Sequence, residues 1–157
     1  MKKFLEKKLV KFLLLPLILI FIVIQFIPVD RTNPPVTYKP VWDSQQTEDF
    51  ARRACFDCHS NETTWPWYSY VAPASLLVGN HVKDGRKHLN FSEPDPGDAE
   101  EMVEEIQAGN MPIAGYVMLH SNAKLTDAEK LEFIKGLKAT FGEGETAGKE
   151  NEGEDHK

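Results

Sequence analysis

The 157-residue chain has only two cysteines, three positions apart, and a histidine follows the second: Cys55-Phe56-Asp57-Cys58-His59. This is the attachment pattern of a c-type haem. On one helical turn both thiols reach the same edge of a porphyrin and add to its vinyl groups. The next residue, His59, then presents its imidazole to the iron. A zinc site would need two more ligands, and no further cysteine exists to supply the usual second pair. A redox dithiol of the thioredoxin type calls for a βαβ pattern around it, and none is visible. A structural disulfide is the remaining competitor. The motif therefore predicts one haem c, held covalently through Cys55 and Cys58, with His59 as metal ligand.

A chain of this length favours one domain with appendages. Charge divides it further. Residues 1–11 carry five lysines and one glutamate, whereas the rest has 13 basic against 23 acidic residues, a net of −10. So negative a body argues against nucleic acid and suits a basic protein partner.

From Phe12 to Val29, fifteen of eighteen residues are Leu, Ile, Val or Phe, interrupted by Pro16, Gln25 and Pro28. Their summed insertion free energy is favourable by about 5–9 kcal/mol before those interruptions are counted. The lysines ahead predict a cytoplasmic N-terminus and a single-pass anchor in the inner membrane (residues 12–29), with the following domain periplasmic. A cleaved signal peptide is the rival reading; no small-residue cleavage site follows the apolar run. Residues 30–42, with Pro34, Pro35 and Pro40, read as an extended tether of up to about 35 Å. The folded domain is expected over 43–141, and residues 142–157, rich in Gly and Glu, as a disordered acidic tail.

Within the domain the pattern is helical. Ser44 or Thr47 caps a first helix that runs into Cys55, with Phe50 and Ala54 on its inner face. Asn61 to Pro73, broken by Pro66 and Pro73, clusters Trp65, Trp67, Tyr68 and Tyr70, which suit either a small core or a wall around the porphyrin. Ala74 to His81 reads as a short helix. Arg86 or Lys87 could neutralise a haem propionate, with a solvated charge as the plain alternative. Asp98 and Glu101 have capping-box spacing at the head of a helix ending at Gly109. Met111, followed by Pro112 in a loop, is the leading candidate for the sixth iron ligand; His120, His81 and an open position are the alternatives. Thr126 and Glu129 form a second capping box before a stripe of Leu131, Ile134, Leu137 and Phe141. The fold class expected is all-α, a small cytochrome c-like domain around one covalent haem, preceded by the transmembrane helix.

Cys55 through Asn61, the Trp65-Pro66-Trp67-Tyr68 cluster, Gly85-Arg86 through Leu89-Asn90-Phe91-Ser92, Met111-Pro112 with Tyr116 and His120, and Ala123 through Thr126 follow one another along the chain. Together these runs resemble the bacterial haem-binding domain family, small membrane-anchored proteins similar to cytochromes c. The resemblance covers about residues 40–141. It implies a mostly helical single-haem domain with Cys55 and Cys58 as attachment sites and His59 as proximal ligand, but no settled reaction or partner.

Function then turns on the sixth position. With His59 and Met111 both bound, the iron has no place for substrate and can only pass electrons to a redox protein. With an open or weakly held position, a peroxidase-like enzyme or small-ligand sensor follows, and His81, His88 or His120 could assist. A haem-bearing assembly module in a larger complex is a third class. No acid–base constellation is visible, which favours a non-enzymatic electron carrier.

Overall fold

Ser44 opens the folded body: its side chain accepts the Thr47 N–H at 3.2 Å and starts the helix Gln45–Ala54. The computed structural model of the protein describes residues 10–142, and seven α-helices without a strand make up the regular structure of that span, apart from short π and 3₁₀ turns. In chain order they are α1 (Leu15–Ile24), α2 (Gln45–Ala54), α3 (Phe56–His59), α4 (Ala74–His88), α5 (Ala99–Gln107), α6 (Ala114–Leu119) and α7 (Asp127–Phe141).

The all-helical class stands, but the transmembrane helix does not. Among the described residues only a π turn, Val10–Leu14, precedes the ten residues of α1. Ten helical residues rise about 15 Å, against about 30 Å of bilayer hydrocarbon. No helix among the described residues is long and apolar enough to cross a membrane, which overturns the expected single-pass placement in the inner membrane. The apolar run stops being helical at Gln25, whose side chain is tied across the sequence to Ala72. The Gln25 amide donates to Phe21 O at 2.8 Å and Ala72 O at 3.1 Å, while Ala72 N–H donates back to Gln25 Oε1 at 2.9 Å. This turns the chain onto the domain. The lysine-rich start, residues 1–9, and residues 143–157 of the expected tail lie outside the described residues.

Residues 30–42 carry no regular secondary structure, and they lie along the domain as a strap. Thr37 N–H and Tyr38 N–H both donate to Ser92 O at 3.0 Å. Asn61 Nδ2 donates to Pro35 O at 2.9 Å, and Trp42 ends the strap half-buried against the core.

That core is built from α2, α3, α5 and α7 with the Phe91 segment. Trp42, Phe56, Phe91 and Phe141 form one aromatic cluster, with Phe56 and Phe91 stacked at 5.3 Å. Phe50 meets Phe133 edge-on at 5.9 Å. Helix α7 crosses α2 so closely that a Cβ on Gly136 would stand 2.0 Å from Thr47 Oγ1. Both arms of the Thr126–Glu129 capping box are made at the start of α7. The buried stripe, however, is Phe133, Ile134 and Leu137, and Leu131 faces solvent.

Helix α4 runs seven residues beyond the expected His81, because its far half packs on the cysteine turn. Asp98 caps α5 by accepting the Glu100 N–H at 2.7 Å. Gly109, at φ +75°, takes the left-handed conformation just past the helix end.

Candidate functional site

The cysteine turn follows from hydrogen bonds that α2 leaves open at its end. Cys55 O accepts from Cys58 N–H at 3.1 Å and His59 N–H at 2.9 Å, winding residues 55–59 into the single turn of α3. Both sulfurs thereby come to one side of the turn. His59 Nδ1 lies 3.0 Å from Gly85 O and 3.2 Å from Leu89 O. Carbonyls only accept, so Nδ1 carries the proton and Nε2 is left with a free lone pair. Gly85 is needed for this approach: a Cβ there would lie 2.6 Å from the Cys58 carbonyl oxygen.

The turn forms one wall of a cleft of about 350 Å³, within the range of cofactor sites. Cys55, Cys58 and His59 line it, and so does Met111 from the loop after α5. Met102, Ile106, Phe133 and Leu137 provide apolar walls, while Asp84, Asp98, Glu101 and Glu105 contribute carboxylates.

A family model described as the haem-binding domain matches residues 19–139, well over half the chain. The chain belongs to this family. No curated protein and no solved structure matches it.

The cleft's donor set fits the haem that this haem-binding domain takes. It offers two free thiols one turn apart, a neutral imidazole with its bare nitrogen available, and a thioether. Burial pushes the Cys55 thiol up to about 12, with the neighbouring Cys58 adding to the shift. Cys58 is raised to about 11 by burial and then by Asp57. Both therefore stay protonated at neutral pH, the reverse of a reactive dithiol, whose thiolate is stabilised. Burial also lowers the His59 pKa, outweighing the two carbonyl hydrogen bonds, and keeps the imidazole neutral as iron ligation requires. The described residues hold no group of three or more His, Cys, Asp or Glu side chains able to bind a metal ion, so zinc finds no second half-site there.

Of the remaining candidates of this haem-binding domain, Arg86, Trp65, Tyr68 and His120 lie off the cleft. Arg86 turns away from it: its guanidinium donates to Ser60 O, Thr32 O, Asn33 Oδ1 and Thr63 Oγ1 between 2.8 and 3.0 Å. Those bonds stitch strap, cysteine turn and α4 together. Trp65 is half-buried, donates to Asn33 Oδ1 at 3.3 Å and does not line the cleft. Trp67 and Tyr70 face solvent, so the aromatic run forms no wall there. Tyr68 lines a second, smaller cavity together with His120. His81 lines both spaces, and His88 lines the cleft.

One pairing at the cleft was not legible in the sequence, that of Tyr116 with Asp57. Tyr116 lines the cleft and donates to Asp57 Oδ2 at 2.7 Å, while Asp57 Oδ1 accepts from Thr64 N–H at 2.9 Å. Burial first, then the bond to Asp57, raises the Tyr116 pKa and keeps the phenol protonated. This bond spans 59 residues and ties the middle of the cysteine turn to the helix that follows Met111. The only sequence signal was an acid between the two cysteines.

Proposed function

We propose that the protein is a mono-haem c-type electron carrier, its haem attached through Cys55 and Cys58 and its iron held between His59 and Met111. The observation that carries this reading is the convergence of these four side chains on one cleft, with His59 oriented by two carbonyls. When bound, the haem supplies a one-electron couple whose potential a His–Met pair sets high. The chain's own residues do the rest. The Gly85 and Leu89 carbonyls fix the tautomer and plane of His59. Met102, Ile106, Phe133 and Leu137 keep water from the buried side, and the acidic body orients a basic redox protein.

The test is the full chain, co-expressed with haem-attachment machinery. Oxidised and reduced absorption spectra are recorded before and after carbon monoxide is added, and again in denaturant. A haem that survives denaturation and a low-spin spectrum indifferent to carbon monoxide are expected. Ready binding of carbon monoxide would instead favour a peroxidase-like or ligand-sensing site. A haem extracted by denaturant would remove the thioether links.

A further inference from the structure

Beside the haem cleft lies a second cavity of about 150 Å³, and Cys58, His81, Ile113 and Tyr116 line both. An engineered apolar cavity of about the same volume takes up benzene, so one six-membered ring sets the scale of an occupant. Leu77, Val78, Val82, Ile113 and Leu119 make the walls largely apolar. Leu77 and Leu119, 59% and 63% exposed, mark the open edge.

The polar groups at this site have defined roles. His120 Nδ1 lies 3.1 Å from Tyr116 O, an acceptor, so Nδ1 carries the proton and Nε2 is bare. Tyr68 OH stands 3.3 Å from that Nε2, a long bond that a ligand hydroxyl can replace. Burial raises the Tyr68 pKa, so it remains a hydroxyl donor. The imidazole is held flat against Tyr116, with ring centroids 4.2 Å apart and planes 22° apart.

We propose that this cavity binds a single phenolic ring of the hydroquinone class, its hydroxyl on the His120–Tyr68 pair, as an electron donor to the neighbouring haem. The inference rests on the electron-carrier reading. One ring O–H bond breaks: the proton passes to His120 Nε2 and one electron to the oxidised haem, which becomes reduced. The ring leaves as a neutral radical, and two such radicals disproportionate to one quinone and one hydroquinone.

The experiment uses the full chain carrying its haem. Oxidised protein is mixed anaerobically with hydroquinone, and haem reduction is followed by absorbance. The rate should saturate with concentration and be competed by phenol. Val78→Phe, which fills the cavity, should lower the rate at least tenfold while leaving reduction by dithionite unchanged. Gly115 also lines the cavity and a Cβ there meets nothing within 4 Å, so Gly115→Leu is the second filling variant and should act alike. His120→Gln should keep phenol competition but slow reduction about tenfold. A rate linear in hydroquinone, unaffected by phenol and equal in the two filled variants, would overturn the site. Should dithionite fail to reduce the haem, the electron-carrier reading fails by itself. Calorimetric titration with phenol then decides the cavity: binding lost in Gly115→Leu upholds the ring site, and no binding in the parent chain removes it.

Discussion

His59 and Met111 approach the cleft from segments with opposite degrees of support. His59 sits on a turn held by the Cys55 carbonyl, with its ring fixed by Gly85 O and Leu89 O. Met111 follows a helix end in a loop whose nearest anchors are its own N–H on Glu105 O at 3.1 Å and the Tyr116–Asp57 bond. Loss of the Met111 thioether should therefore change the iron's coordination without releasing the haem. Met111→Ala is expected to retain a covalent haem, gain carbon monoxide binding and fall in potential, since thioether ligation favours the reduced iron. Visible spectroscopy with redox titration checks this, and an unchanged spectrum and potential would take Met111 off the ligand set. Asp57 works differently. It does not line the cleft itself, yet it receives both Thr64 N–H and the OH of the cleft residue Tyr116, so it ties the His59 and Met111 segments together.

At the level of elements, the crossing of α2 and α7 sets the spacing of the core. Gly136 normally invites replacement by alanine, which gains about 1 kcal/mol of helix propensity. Here the added Cβ would meet Thr47 Oγ1, Cγ2 and Cβ at 2.0, 2.6 and 2.8 Å. Overpacking of this kind costs about 1–3 kcal/mol, so Gly136→Ala should lower the melting temperature, and a rise would show that the crossing can relax. The start of α7 is linked to α2 by Arg53 and Glu129. Glu129 is held below its ordinary pKa of 4.5, first by the Thr126 backbone N–H, then by the Thr126 hydroxyl and Arg53. A carboxylate with a lowered folded pKa contributes stability that is complete above its unfolded value and disappears as pH falls through the folded one. Glu129→Gln should thus reduce the melting temperature at neutral pH, with the deficit shrinking below about pH 4.5; a deficit that grows in acid would reverse the assignment. These elements also show what a sequence can disclose. The Thr126–Glu129 box and the Ser44 cap were legible because capping is local chemistry. The extent of α4 was not, because it depends on Gly85 meeting Cys58 from 27 positions away. The placement of Arg86 and of Trp65 was lost for the same reason: their partners Thr32 and Asn33 belong to a strap that local pattern reads as a free tether. The Phe12–Val29 run was read as one helix because hydropathy does not register that Gln25 binds Ala72.

Across the whole molecule, charge is the property that reaches furthest beyond the cleft. Residues after position 11 carry a net of −10, and Asp84, Asp98, Glu101 and Glu105 line the cleft itself. A field of one sign around a redox centre raises the local concentration of oppositely charged reagents and depletes like-charged ones. Hexaammineruthenium, a cation, and ferricyanide, an anion, both exchange electrons without needing a bonding site, so their rates report that field at the haem. The cation should react faster relative to its driving force, and its rate should fall as salt rises. The anion's rate should climb over the same range. Screening sets the span: the Debye length shrinks from about 30 Å at 0.01 M to about 10 Å at 0.1 M, so most of the change belongs in that interval. Stopped-flow rates at several ionic strengths give both slopes. Opposite signs would place electron exchange inside the acidic surface, where a basic protein partner is favoured; two flat lines would put the exposed haem edge elsewhere and remove the electrostatic part of the proposed docking.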